Sequence, residues 1–286
     1  YQDSHPTVIN CTFDGNTASE YGGGMFNEEY SSPILTDCSF TGNVSDEYGG
    51  GMANLESCDP ELTGCDFVGN HSEYGGGMYN ESSCSPDLSS CIFETNTASR
   101  DGAGMDNNNE CSPVLVDCTF DGNVSDRYSG GMGNDLGSDP QLTRCIFKNN
   151  EAHYDGAGMY NYRSSPRLTS CEFVNNVVPE DSGTYGGGML NYGADPVLQD
   201  CRFEGNASYY GGGMCNRDES VPELVGCDFI SNHAYVDGGG MANYEGSSPD
   251  LADCTFDGNT SAYWSGGMSN EYYSDPSLSN CTFTNN

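Results

Sequence analysis

Fifteen cysteines, 43 acidic residues and four histidines are the groups in this 286-residue sequence that could do chemistry. Carboxylates at this density favour hard multivalent cations, and calcium, held by carboxylate and carbonyl oxygens, is the candidate cofactor. Only Lys148 and seven arginines oppose them, leaving a formal charge of -35 and a pI near 4.1. Such a surface excludes nucleic acid as a partner, because phosphate binding needs basic groups. No run of 18 apolar residues occurs, so no insertion into a membrane is expected. His5, His71, His153 and His233 are scattered, and no G-x-S-x-G, P-loop or H-E-x-x-H motif is present.

The cysteines fall into three groups. Cys11, Cys38, Cys65, Cys91, Cys118, Cys145, Cys171, Cys201, Cys227, Cys254 and Cys281 follow one another at intervals of 26 to 30 residues. An interval that long builds a column rather than the short-range convergence that zinc requires. A column of buried thiols is favoured over disulfides, because Cβ atoms in register are wider apart than a bridge prefers. Cys58, Cys84 and Cys111 stand two residues before a proline in consecutive units, where other units mostly have serine. They are expected to stack in a partly exposed turn, where a Cys58–Cys84 or a Cys84–Cys111 disulfide is allowed. Cys215 follows Met214 and is expected to point outward, free or available for an intermolecular bridge.

The elements that position these groups are units of one repeat. Proline lies five residues before each column cysteine, leucine (or Val8) three before, phenylalanine two after and asparagine five after. Gly-Met recurs ten times, from Gly24-Met25 to Gly267-Met268, and a second asparagine stands two residues after each methionine. A unit near 27 residues is too short to bury a core alone, so neighbours must share one. A proline in every unit and glycines clustered before each methionine exclude helical repeats.

Cys and Phe, two apart, share a strand face, as do Met and its Asn. The three-residue steps from Leu to Cys and from Phe to Asn mark corners. Each unit is therefore expected to be one coil of about three short strands and three turns. The fold class is all-β, a parallel β-helix of about 10.5 coils of 26–30 residues, with like residues stacked at the inter-strand spacing of about 4.8 Å. The two asparagine series become internal ladders, each amide bonding to the next. The chain reads as a single solenoid domain over 1–286 that begins and ends in mid-repeat. That ending suggests a longer parent chain or head-to-tail self-association into a filament.

The motifs C-x-F-x-x-N and G-G-x-M-x-N resemble the F-x-x-N and G-G-A-[ILV] repeats of chlamydial polymorphic outer-membrane proteins and related bacterial repeat proteins. The resemblance covers the whole chain, with methionine where that family has a branched aliphatic residue. It implies a right-handed β-helix at the cell surface or outside the cell, often adhesive. No autotransporter barrel accompanies it.

Eight N-x-[ST] sequons occur, six of them on the asparagine ladders. Only Asn10 and Asn280, which precede cysteines, are expected to face outward and accept sugar. Four residues before methionine, Tyr21, Tyr48, Tyr74, Tyr128, Tyr185, Tyr210 and Trp264 form an aromatic row, with Asp101, Asp155 and Asp237 in the remaining places. Tyr162, Tyr192 and Tyr244 follow the second asparagine series. These rings are candidate surfaces for a polysaccharide or a partner protein.

β-Helices also host polysaccharide lyases and hydrolases, but the carboxylates here repeat from unit to unit and no isolated pair stands out. No catalytic residue is assigned. The expected function is a non-catalytic structural or adhesive rod. The alternatives are a carbohydrate-active enzyme and a calcium-dependent polysaccharide binder. The eight residues from Val177 to Thr184, extra in one unit, are expected to protrude as a loop.

Overall fold

The computed structural model describes residues 3–179 and 183–286 as a parallel β-solenoid in which every strand pairs only with its counterparts one repeat before and after. A representative coil contains the strands Ile34–Thr36, Ser39–Thr41, Val44–Ser45 and Met52–Leu55. We call the sheets they belong to A, B, C and D. A and B each have 11 strands and D has 10. Sheet C was not anticipated as a separate side, because its strands are two to five residues long. Its inward residues are small, such as Ser45, Ser72, Ala98 and Ala152, so no apolar alternation announces it. It runs as groups of six and three strands. Among the described residues they are joined by isolated bridges through Val177 and Tyr185, in the coil that carries the extra residues.

The expected register holds. Leu35 pairs with Leu62, Phe40 with Phe67, and Met132 with both Met105 and Met159, all in a dry interior. Phenylalanine rings stack along the axis with centroids 4.5–4.9 Å apart and planes within 7° of parallel. Column thiols fill the A–B corner and donate to backbone carbonyls, as Cys38 does to Thr36 O at 3.3 Å. All fifteen cysteines are free thiols.

Both asparagine series are continuous ladders. In the B–C corner Asn43 donates from its backbone N–H (2.9 Å) and from Nδ2 (3.0 Å) to Asn70 Oδ1, while Nδ2 also reaches Phe13 O (2.8 Å). Each side chain therefore ties three coils together. In sheet D, Nδ2 of each asparagine donates to Oδ1 of the next at 2.7–2.9 Å. Asn43, Asn70, Asn80, Asn123, Asn206 and Asn259 are fully buried, so glycosylation at those sequons is sterically blocked in the folded rod. Asn10 and Asn280 are exposed, as expected.

The corners use left-handed backbone. The residue before each column cysteine has positive φ whatever its type, from Asn10 and Gly64 to Arg144. The glycine preceding methionine serves a different purpose, which is close approach. A Cβ on Gly131 would lie 2.3 Å from Gly158 O and 2.9 Å from the Phe147 ring.

Of the inserted segment, Val178 is buried against Ala152 and Ala157, and Thr184 is also buried. Its ends therefore pack inward rather than protrude. Gly183 is exposed, and residues 180–182 lie outside the described residues.

Asn123→Ala would remove the acceptor of two Asn96 donors and the donor to Phe93 O. At roughly 1–3 kcal/mol for each buried group left unpaired, a loss of about 3–5 kcal/mol is expected. Urea denaturation should show a large fall in midpoint for this variant and almost none for Asn10→Ala.

Candidate functional site

Side chains alternate along sheet D, so the residue after each methionine points away from the core. Yet most of this outer row is covered. Ala53, Tyr79, Asp106, Leu190, Cys215 and Ala242 are all at most 2% exposed. The cover comes from two flanking rows, the Tyr/Asp row four residues before methionine and a second row three residues after it. Together the three rows make a groove along the rod, with the outer row as its floor.

Aromatic contacts build the walls. Tyr21, Tyr48 and Tyr74 stack in succession at 5.1 and 5.5 Å, and Tyr185 stacks on Tyr210 at 5.2 Å. Where the floor residue is large its ring joins the wall, as Tyr79 does with Tyr48 and Tyr160 with Tyr128. The seven row aromatics are thus brought to one face. The tyrosines are half-buried, and Trp264 is 65% exposed. Tyr162, Tyr192 and Tyr244 belong to the opposite wall.

Two hollows open in this groove. One, of about 310 Å³, is lined by Tyr185, Tyr210, Tyr244, Trp264 and Tyr272 around Arg217. The Arg217 guanidinium lies 4.2 Å from the Tyr185 ring centroid and donates to Glu245 at 2.8 Å. The other hollow, of about 290 Å³, is lined by Asp101, Asn108, Asp135, Tyr128, Tyr160 and Tyr162.

Sequence reasoning missed the acidic set beneath and around that second hollow. Asp106 is the one charged residue on the groove floor; the floor residue in the next coil is Gly133. A Cβ on Gly133 would lie 2.6 Å from Asp106 Oδ1, so the missing side chain makes room for this carboxyl. Burial, then Asp135, Asp101 and Glu81, hold Asp106 well above the usual carboxylate range. Burial and the Asp101 charge push Asp135 up to about 7. Burial raises Asp101 as well, and its Oδ1 accepts the Tyr128 backbone N–H at 3.2 Å. The available signal was positional and belongs to Asp106 alone: an acid in a row where other coils carry apolar, aromatic or small residues.

The thiols require two corrections. Cys58, Cys84 and Cys111 are completely buried, not partly exposed. They replace serine in a corner ladder where each side chain accepts the N–H of the preceding coil. Cys84 Sγ accepts from Cys58 N at 3.1 Å, just as Ser138 Oγ accepts from Cys111 N at 3.1 Å. Cys215 does face away from the core, but Leu190, Ala242 and Tyr244 enclose it, with Tyr185 and Tyr210 packed against the cluster. Burial pushes its thiol up, and its position precludes an intermolecular bridge.

The repeated carboxylates before proline are turn caps. Asp59, for instance, accepts the Ser85 N–H at 2.6 Å. Among the described residues no three His, Cys, Asp or Glu side chains converge closely enough to hold a metal ion. No helix among them is long and apolar enough to cross a membrane.

A family model described as "Right handed beta helix region" matches residues 1–137, and the solenoid is right-handed. No curated protein matches the chain. Among solved structures, the chain is similar to the catalytic domain of a GH87 alpha-1,3-glucanase in complex with nigerose, with 10% identity and a TM-score of 0.34. The match covers 97% of this chain and 63% of that one, so the chain spans less than two thirds of that domain's length.

Two outcomes are expected. A thiol reagent should modify only Cys11 and Cys281 in the native protein, the two not buried, and all fifteen after denaturation. The raised pKa of Asp135 favours folding while its carboxyl is protonated. That contribution is complete below about pH 4 and is lost as pH rises through about 7. Asp135→Asn should therefore be more stable than the parent by about 1–3 kcal/mol at pH 8 and no more stable below pH 4, read by melting across pH.

Proposed function

We propose that this chain is a non-catalytic structural and adhesive rod of the extracellular or cell-surface kind, and that its sheet D groove lies along an extended polysaccharide. The observation that carries this reading is the groove itself. Its two walls place tyrosine in most coils, with ring faces and hydroxyls side by side. Aromatic rings offer sugars an apolar platform and a polar edge at low entropic cost. The rod beneath is held in register by two internal ladders, so the rings are preorganised rather than gathered on binding.

A second reading is a carbohydrate-active hydrolase. Asp101, Asp106 and Asp135 favour it, because neighbouring carboxyls held above their usual range by burial supply the general acid that glycosidic cleavage needs. Release of reducing ends from a polysaccharide, lost on Asp135→Asn, would establish that reading instead.

The adhesive reading predicts retention of the purified protein on one or more insoluble polysaccharides without release of soluble sugar. Trp264→Ala and Tyr210→Ala, on the open hollow, should each weaken retention by about tenfold, since stacking contacts contribute on the order of 1–1.5 kcal/mol. Retention unchanged in both variants would contradict it.

A further inference from the structure

The lining of the 290 Å³ hollow holds two carboxyls and no cationic side chain. Asp101, Asn108 and Asp135 line it, and Asp106 lies below them, leaning over Gly133 toward the coil that carries Asp135. Asp106 is 2% exposed, and its Oδ1 has no hydrogen-bond partner. Asn108 Oδ1 is also buried without a partner. A buried acceptor left unpaired is costly, and several acidic ones facing each other are costlier still.

Two of the chain's own cations, Arg127 and Arg100, act on Asp101 from the margin and offset only part of its burial. Arg100 bonds to Glu73 at 3.2 Å and lies over the Tyr74 ring, while Arg127 lies over the Tyr128 ring at 4.9 Å. Glu81 and Asp155 add further negative charge nearby. A bare metal ion fits poorly, since no three carboxyls converge on one point. A primary ammonium fits better. It carries three donors on one positive charge and can reach oxygens spread around a hollow. Its carbon frame would meet the Tyr160 and Tyr162 rings that complete the lining.

We propose that this stretch of the groove binds the free amine of an amino-sugar unit within an extended oligosaccharide. The inference rests on the polysaccharide reading above and names the ligand's class. Asp101 and Asp135 would take the ammonium hydrogens, and Asp106 would act through its charge from beneath the floor. Because burial disfavours the ionised form of these carboxyls in the free site, an arriving ammonium favours ionisation and expels protons. Binding should therefore strengthen as pH rises toward neutrality, provided the amine stays charged.

The test is calorimetric titration of the full chain at pH 7 and physiological salt with three tetrasaccharides: glucosamine, N-acetylglucosamine and glucose. The glucosamine tetramer should bind at least about tenfold more tightly than the other two, the scale of a paired buried charge. Its apparent enthalpy should vary with buffer, reporting proton release. Asp106→Asn and Asp135→Asn should each weaken it about tenfold and reduce the released proton. Asp37→Asn, at an exposed A–B corner, should leave both unchanged.

Equal affinity for the amine and its acetylated form would overturn the amine assignment while leaving the polysaccharide reading in place. Failure of all three to bind would overturn both. Equal weakening by Asp37→Asn and Asp106→Asn would reduce the effect to general attraction by an acidic surface.

Discussion

Each asparagine in the B–C corner donates its backbone N–H and one side-chain N–H to the amide oxygen of the next coil, and a second side-chain N–H to a carbonyl of the coil before. A shift of one residue in any strand would move these amides out of the interior and put other side chains in. It would also break a chain of bonds that cannot be replaced by water. The parallel phenylalanine stacks and the methionine column follow from the same constraint, since a core in which each coil is set directly over the last can only place like upon like. The apolar stacks supply most of the driving force, and the amides supply the register.

That rigidity frees the outside. The Cys, Phe, Met and both Asn positions are invariant from coil to coil, but the outer row of sheet D holds Ala53, Tyr79, Asp106, Gly133, Tyr160 and Leu190 in succession. A solenoid can carry such variety because each outer residue packs only on its neighbours in the groove. The groove is therefore where one part of the rod differs from another. Its aromatic hollow near Trp264 and its acidic hollow near Asp135 are distinct sites on one continuous face. A long ligand lying parallel to the axis would meet both.

Much of this was readable from spacing. The intervals of 26 to 30 residues gave the coil, and Phe, Leu, Met and both asparagine series were correctly placed inside. What spacing concealed has physical causes. Sheet C has strands too short, and inward residues too small, to leave a pattern. Cys58, Cys84 and Cys111 looked like surface residues because serine occupies their place elsewhere. That serine is itself a buried ladder acceptor, which neighbouring residues in sequence do not reveal. Cys215 was correctly assigned to the outer side of its strand, but being outside a strand is not being in water when tyrosines close over it. Asp101, Asp106 and Asp135 belong to three different rows and two coils, so no linear motif joins them. Only the stacking of one coil on the next brings them together.

The internal asparagine ladder is most directly tested by hydrogen exchange of its side-chain amides, followed by NMR. Nδ2 protons of residues such as Asn70, Asn96 and Asn123 should persist for hours in deuterated solvent and show contacts to the asparagine one repeat away. Exchange as fast as that of an exposed amide such as Asn10, or contacts only to residues nearby in sequence, would contradict an unbroken internal ladder.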